Sequence, residues 1–349
     1  MNLENMTTNE VLAQVLQAIK TQQTTQRPQY EGERILVNTF IENWLESKRD
    51  IDIRPKTYEN YEGRYRNHIK PYFENMVLTN VTFDTVSNFV RHLKEKGVKA
   101  GLIHDVIRLL SIAMNEAVHI REYIPKNPCK GVHLPKLRQK SNRPSITDEE
   151  VRSLWEVSQG HHYCIAIPIL AQTGIRKSEL LALTWDALFY DDMADTWKLR
   201  ITKTLSCTKG KPCVQQWTKT DEGFRALAIP TELALLMLHY KEHIQHNRRT
   251  YIIAQKKYDR MEWQRNFHRT LKTWIHKAGI REELSTHAFR HAMATRLCLE
   301  KVPLEAIKKQ GGWKDDKMVQ YYANEVQTAI LQNECAKVMG KHWQGAFTL

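Results

Sequence analysis

The stretch TWKLRITKTLSC, residues 196–207, decides the fold because it breaks a helical pattern with alternating apolar and polar side chains. Two shorter stretches of the same kind follow, CVQQWTKT at 213–220 and FRALAIP at 224–230. Alternation with a period of two, in stretches of this length, predicts β-strands. Helical spacing precedes them and returns over residues 231–349. We therefore expect an α+β domain, mainly α with a small antiparallel β-sheet.

The part of the chain before this domain has a purely helical pattern, over residues 34–131. Phe40, Trp44 and Leu45 form one apolar stripe at helical spacing. Further helical stretches follow it, and none of them alternates as a strand would. This pattern predicts an all-α helical bundle in front of the α+β domain.

Composition and capping signals set the remaining boundaries. Residues 1–33 are polar and include a Gln/Thr stretch, which predicts a partly disordered extension. Residues 132–146 contain two prolines and predict a basic interdomain linker, either lying on DNA or forming a plain exposed strap. Thr147 and Glu150 form a capping box that opens the second domain, 147–349, whose C-terminal tail starts near residue 326. The linker cations considered for DNA binding are Lys136, Arg138, Lys140 and Arg143.

Length and charge limit the possible function classes. A chain of 349 residues without a long apolar run predicts about two domains and no membrane span. No secretory signal is evident, and the six scattered cysteines fit reduced thiols, so we expect a cytoplasmic protein. Lys and Arg number 52 against 39 Asp and Glu, a net charge of +13. This charge favours polyanion partners, although an unrelated basic enzyme stays open on charge alone.

Two segments of the second domain carry cations at unusual places. In AQTGIRKSELLALTW, residues 171–185, Arg176 follows a glycine and enters a helix. A cation at a helix N-terminus opposes the helix dipole, unless both serve one bound anion. Lys219 precedes a turn signal, Asp221 and Gly223, and a predicted strand, so we expect it at the tip of a hairpin. There it is either solvated or able to give a proton to a leaving oxygen.

Two later segments carry a helix start and a tyrosine pair. In STHAFRHAMATRL, residues 285–297, His287 and Arg290 are three residues apart and are expected on one face of a helix. We expect His291 to point away from them. In IKKQGGWKDDKMVQYYANEV, residues 307–326, a Gly-Gly turn precedes Trp313 and the pair Tyr321 and Tyr322, which ordinary core packing would also explain.

The order and spacing of these motifs together resemble the tyrosine recombinase (phage integrase) family. That family has G-x-R-x-S-E-L, then a hairpin lysine before a strand ending in proline, then H-x-x-R-H-x-x-A-T. A Gly followed by His or Trp comes next, with a tyrosine nine residues beyond, a spacing that selects Tyr322 over Tyr321. Here Gln310 and Gly311 stand where the family usually has leucine, which predicts looser packing. The matching residues are Gly174, Arg176, Ser178, Glu179, Leu180, Lys219, Ala228, Ile229, Pro230, His287, Arg290, His291, Ala294, Thr295, Gly312 and Trp313.

The resemblance implies a catalytic set and a reaction. Arg176 and Arg290 would hold the scissile phosphate, with His287 and Trp313 adding hydrogen bonds. Lys219 would be the general acid, and Tyr322 the nucleophile that forms a 3′-phosphotyrosine. We expect no cofactor and no metal, because the motifs are accompanied by neither a P-loop nor a carboxylate cluster.

The resemblance also implies partners. These are double-stranded DNA carrying specific recombination sites, a homotetramer on that DNA, and accessory excision or DNA-bending proteins. The helical bundle would complete a clamp around the duplex. Separately, the near-helical apolar spacing of the tail, from Val326 to Val338, predicts that it docks on a neighbouring subunit, while packing on its own domain stays open. The element served would be a mobile element or a prophage.

Other function classes remain open to the sequence. A type IB topoisomerase uses similar side chains but acts alone and without pairing sites. A DNA-binding regulator that has lost catalysis would have no need for Tyr322. A metal-dependent nuclease would need carboxylates that these motifs do not supply.

Overall fold

The described chain forms two units, which are considered separately. The computed structural model describes residues 35–49, 53–137, 145–208, 210–215, 224–246 and 248–342. The first unit is Met1–Gln139 and the second is Lys140–Leu349. The predicted extension over residues 1–33 lies outside the described residues. No helix among the described residues is long and apolar enough to cross a membrane.

The first unit is helical, as its sequence pattern predicts. Pro55 opens the second helix, as a residue without a backbone N–H can at a first turn. Thr82 caps the third helix in a reciprocal pair with Thr85. The helices are α1 Val37–Lys48, α2 Pro55–Arg64, α3 Phe83–Glu95 and α4 Ala100–His119, and α2 continues through a π-helical turn Tyr65–Ile69 to Lys70–Tyr72.

One apolar core holds this unit together. Helices α1, α3 and α4 bury apolar side chains in one cluster, which includes Phe40 and Trp44 of α1, Phe89 of α3 and Leu110 of α4. Trp44 also donates a 2.9 Å hydrogen bond from Nε1 to Glu116 on α4. The first unit is therefore the expected helical bundle.

The second unit opens with the predicted capping box. The Thr147 hydroxyl accepts from the Glu150 backbone N–H, and the Glu150 carboxylate accepts from the Thr147 N–H. The helices that follow are α5 Asp148–Ser158, α6 Ala166–Thr173 and the single turn α7 Lys177–Leu180. After the strands come α8 Thr231–His243, α9 Gln264–Lys277, α10 Thr286–Leu299, α11 Leu304–Gly311 and α12 Lys317–His342.

The sheet is antiparallel and small, as predicted, but the strand assignment needs correction. The stretch 196–207 is two strands and not one, because it breaks at Thr202 and Lys203 and its halves join different sheets. One sheet has the order β1-β2-β5, and β3 pairs with β4 as a separate hairpin. The strands are β1 Leu188–Asp191, β2 Thr196–Ile201, β3 Thr204–Thr208, β4 Lys211–Gln215 and β5 Arg225–Ile229.

A minor apolar cluster lies beside the main core of the second unit. It joins α10 to the last two helices, and it holds two of the aromatic residues singled out in the sequence. Its position fixes where the start of α12 lies against α10. Its buried members are Met293, Ala294, Ile307, Trp313, Val319 and Tyr322.

Two adjacent, partly buried histidines, His161 and His162, lie in front of α6. His161 Nδ1 and His162 Nε2 are buried atoms without a hydrogen-bond partner among the described residues. Burial, assisted by His161, Lys256 and Arg249, lowers the pKa of His162 to about 4. An unfolded histidine titrates near 6.5, so the unfolded chain binds more protons between these two values.

The free energy of unfolding should therefore fall as the pH falls from about 6.5 to about 4. The loss expected from His162 is about 1–2 kcal/mol, because partial solvent exposure screens the full effect. Denaturant titrations at several pH values measure it. His162→Phe should flatten the dependence, and the exposed His243→Gln should not. An unchanged slope in His162→Phe would contradict the assignment.

Candidate active site

The N-terminal half of α10 presents three polar side chains on one face. Ser285 caps the helix, with its hydroxyl accepting from the His287 N–H at 3.4 Å. His287, Arg290 and His291 follow at positions i, i+3 and i+4, and all three line one cavity. The prediction that His291 points away was wrong, because residues four apart on a helix lie only about 40° apart around its axis.

Arg290 is buried and held by backbone oxygens. Its residue is only 6% exposed. Its guanidinium donates to the Gly174 carbonyl at 3.0 Å and also to the Gly311 carbonyl. Burial first, and then the charge of Arg176, lowers the pKa of Arg290. Burial and Arg176 thus disfavour the positive charge of Arg290, and an anion bound in the cavity would stabilise that charge.

Trp313 packs against that same guanidinium. The Arg290 Cζ lies 4.2 Å from the Trp313 ring centroid, which is a cation–π geometry. Trp313 is buried and lines the cavity. Its ring face therefore limits the positions that the Arg290 fork can adopt.

Arg176 is the N-cap residue of α7 and contacts the turn that follows α11. Its Nη1 donates to Glu179 Oε1 at 2.7 Å, and its Nη2 donates to the Gly312 carbonyl at 2.9 Å. Its backbone N–H donates to the other Glu179 oxygen at 3.0 Å. The side chain keeps 30% exposure and lines the cavity. Arg176 and Arg290 thus approach the same Gly311–Gly312 turn.

A third arginine, Arg225, and the carboxylate of Glu179 support Arg176 and the turn after α11. Arg225 on β5 donates to both Glu179 oxygens, at 3.3 and 3.0 Å, and to the Gln310 carbonyl at 3.2 Å. Burial alone would raise the pKa of Glu179, but Arg225 and Arg176 outweigh it and lower that pKa. Glu179 is therefore a buried carboxylate that positions two arginines at once.

Tyr322 lies across the cavity on α12. Its residue is 2% exposed, whereas Tyr321 is 40% exposed. The Tyr322 hydroxyl lies 2.5 Å from His291 Nδ1, and its ring centroid lies 5.8 Å from that of Trp313. Of the two neighbouring tyrosines, Tyr322 is thus the one packed among the candidate catalytic residues.

These side chains line one cavity of about 410 Å³. The structure therefore brings together five of the six residues proposed from the sequence. Lys219 lies outside the described residues, and so do Arg138, Lys140 and Arg143. Lys136 is described and is exposed. The lining residues are Arg176, Glu283, Ser285, His287, Ala288, Arg290, His291, Trp313, Met318 and Tyr322.

Residue Gly311 fits its site because it has no side chain. A Cβ there would lie 2.0 Å from the Trp313 ring. At Gly312, where φ is +60°, a Cβ would meet the Arg225 guanidinium at 2.8 Å. The expected looser packing at Gly311 is therefore not found, because Trp313 occupies the space a larger residue would take.

Sequence comparison places both units in one family. The model described as "Phage integrase family" matches residues 144–328. The model described as "Phage integrase, N-terminal SAM-like domain" matches residues 36–94. The first match covers more than half of the chain and includes every candidate catalytic residue.

Curated relatives carry names consistent with this match. A tyrosine recombinase XerC-like protein of Caldanaerobacter subterraneus subsp. tengcongensis is 24% identical, over 79% of this chain and 75% of that protein. The ICEBs1 integrase of Bacillus subtilis is 26% identical, over 78% of this chain and 74% of that protein.

Solved structures share the fold. The Tn1549 transposon integrase, solved with transposon right end DNA, superposes with a TM-score of 0.70 at 17% identity, over 86% of this chain and 100% of that one. A lambda integrase tetramer bound to a Holliday junction gives a TM-score of 0.61 at 16% identity, over 89% of this chain and 85% of that one. With both units matched, this chain belongs to the phage integrase family, the tyrosine recombinases, which break and rejoin DNA.

Proposed function

We propose that this chain cleaves and rejoins DNA at specific sites through a 3′-phosphotyrosine intermediate on Tyr322, integrating or excising a mobile element or prophage. One observation carries the proposal. Tyr322 shares a single cavity with Arg176, Arg290 and His287, which are the groups that phosphoryl transfer to a tyrosine requires.

The two arginines would stabilise the transition state. Attack on a phosphodiester builds negative charge on the non-bridging oxygens, and rigid guanidinium forks match that geometry better than lysines do. Arg176 and Arg290 are already oriented by backbone carbonyls, so little reorganisation is needed when charge develops. His287, in the first turn of α10, would donate a further hydrogen bond to the phosphate. Trp313 would act chiefly by packing on Arg290.

Tyr322 would be the nucleophile and Lys219 the general acid. As the Tyr322 oxygen bonds to phosphorus, the bond to the 5′-oxygen breaks and that oxygen takes a proton. We assign this proton to Lys219, which precedes β5 in the chain, the strand that carries Arg225. The aryl phosphate keeps the energy of the broken bond, so a 5′-hydroxyl can displace Tyr322 and reseal the strand.

The partners we propose follow the solved relatives. The Tn1549 and lambda integrases were solved on DNA, the latter as a tetramer. By analogy, this chain would bind duplex sites as a homotetramer in the bacterial cytoplasm, with accessory excision or DNA-bending proteins. The bundle over 34–131, and the linker cations Lys136, Arg138, Lys140 and Arg143, would bind backbone phosphates.

The end of α12 supports assembly through the tail. Ile330 and Leu331, and then Val338 and Met339, remain 47–65% exposed. Leu331 and Val338, seven residues apart, lie on nearly the same face of the helix and form an apolar stripe, with Ile330 and Met339 about a quarter turn to either side. Packing of this stripe on a neighbouring subunit would remove it from water. Deletion beyond residue 326 should then leave cleavage intact and weaken pairing of sites.

A nicked suicide substrate tests the proposed function. The purified chain should form SDS-resistant adducts with DNA carrying the element's ends, in buffer containing EDTA. Adducts on the element's ends but not on scrambled DNA are the expected result. Cleavage that leaves free strands without adducts and stops in EDTA would favour a metal nuclease. Sequence-independent relaxation of supercoiled plasmid by monomers would favour a type IB topoisomerase.

Substitution of Gly311 should impair the site without replacing a candidate catalytic residue. Gly311→Ala puts a Cβ into the Trp313 ring, which must move and release Arg290. We expect adduct formation to slow by about 100-fold, the order of effect of losing one transition-state donor. Gly63→Ala is the matched control, since nothing lies within 4 Å of a Cβ there. Equal rates in the two variants would show that Trp313 does not position Arg290.

A further inference from the structure

The tyrosine nucleophile needs a group that takes its proton. A free phenol has a pKa near 10 and is a weak nucleophile while protonated. His291 is in hydrogen-bond contact with the Tyr322 hydroxyl, and its Nδ1 lies 2.5 Å from that hydroxyl. Contact at this distance satisfies the geometric requirement for a general base.

We propose that His291 is a catalytic base in this reaction. It would take the phenol proton of Tyr322 during strand cleavage and return it during rejoining. The proposal rests on the proposed role of Tyr322, and it adds a residue that the family pattern did not put in the catalytic set.

Packing fixes the pair in position. His291 lies on α10 and Tyr322 on α12, and the minor apolar cluster joins these two helices. The two ring centroids are 5.3 Å apart, with planes tilted by 57°. With the imidazole proton on Nε2, Nδ1 accepts the hydrogen bond that the phenol donates.

The charges around the pair favour the transfer. Arg176, His287, Arg290 and Glu283 line the same cavity. Arg290 interacts electrostatically with Tyr322, and a cation so placed stabilises a phenolate. Glu283 is a carboxylate on the same cavity and would help to stabilise an imidazolium. The phenolate formed by the transfer therefore has a cation beside it, and the lining of the cavity also includes a carboxylate.

His291 would exchange a proton with Tyr322 in both directions of the reaction. In cleavage, the Tyr322 oxygen–hydrogen bond breaks and its proton joins His291 Nδ1. The Tyr322 oxygen bonds to phosphorus as the bond to the 5′-oxygen breaks, and the 5′-oxygen takes a proton from Lys219. In rejoining, the 5′-hydroxyl gives its proton to Lys219 and its oxygen attacks phosphorus. The bond from phosphorus to Tyr322 then breaks, and imidazolium His291 protonates the departing phenolate.

A sulfur-substituted DNA distinguishes the proposed base, His291, from the proposed general acid, Lys219. A substrate with sulfur at the 5′-bridging position releases a thiolate, which needs no proton donor because thiols are far more acidic than alcohols. His291→Ala and His291→Asn should slow adduct formation by about 100-fold or more on both oxygen and sulfur substrates. Lys219→Ala should be slow on the oxygen substrate and restored on the sulfur one.

Added imidazole distinguishes a base from a structural residue. Imidazole should speed cleavage by His291→Ala at least about 10-fold and leave His291→Asn unchanged, because only the alanine variant has room for the ring. DNA binding by both variants should match that of the original chain, which checks folding. No rescue, or wild-type rates in His291→Asn, would overturn the role of His291. If the unaltered chain forms no adduct on Tyr322, the proposed function itself fails.

Discussion

Replacing Tyr322 with phenylalanine should abolish covalent protein–DNA adducts while leaving DNA binding intact. The phenylalanine ring keeps the packing against Trp313 and His291, and the substitution removes only the hydroxyl. The expected cost in stability is about 1 kcal/mol, for one lost hydrogen bond. Denaturing gels of reactions on a suicide substrate measure the adduct, and thermal melting measures the fold.

Tyr321→Phe is the matched control for this prediction. Tyr321 is the adjacent tyrosine and is 40% exposed, whereas Tyr322 is 2% exposed. The control should form adducts at close to the original rate. If adducts persist in Tyr322→Phe and vanish in Tyr321→Phe, the nucleophile is Tyr321 and not Tyr322.

Replacing Glu179 with glutamine should damage both stability and catalysis. The carboxylate binds Arg176 and Arg225, and its own side chain is 2% exposed. Removing one partner of a buried ion pair costs about 3–5 kcal/mol. Arg176 also loses the group that aims it at the cavity, so we expect adduct formation to slow by about 100-fold. Denaturant titration and single-turnover cleavage measure the two effects.

Glu334→Gln is the control for the loss of a carboxylate. Glu334 pairs with Lys337 on the exposed face of α12, where an ion pair contributes about 0–1 kcal/mol. The control should change neither stability nor cleavage appreciably. Wild-type cleavage by Glu179→Gln would mean that Arg176 is positioned by its bond to Gly312 alone.

Local patterns predict the helices and the order of the motifs well. Pro55 and the pair Thr147 and Glu150 mark helix starts because capping and proline geometry depend on neighbours in sequence. The grouping of Arg176 with Arg290 on one cavity could be proposed only from the family resemblance. They are far apart in the chain, and their spacing alone carries no information on contact.

The supporting residues were missed for identifiable physical reasons. Alternate residues of a strand face the same side, so Arg225 of β5 faces the core with Leu227 and Ile229. An arginine at a core-facing position could have indicated a buried ion pair. Glu179 was matched only as part of a motif, because its two partners come from different elements. His291 was misplaced by a simple error of helical geometry. It lies one turn beyond His287 and not opposite it.

The break after β2 depends on tertiary structure. Strand β2 pairs with β5, whereas β3 pairs with β4. Both halves of the stretch alternate, so the sequence period is the same on each side of the break. Only the partners of each half distinguish two strands from one.

Mapping the protein–DNA bond tests the central claim most directly. Adducts trapped on a suicide substrate would be digested with protease and nuclease, and the linked peptide would be fragmented in a mass spectrometer. We predict a nucleotide joined through its 3′-phosphate to the side-chain oxygen of Tyr322. A bond to any other residue, or through a 5′-phosphate, would contradict a mechanism centred on the cavity of Arg176, His287 and Arg290.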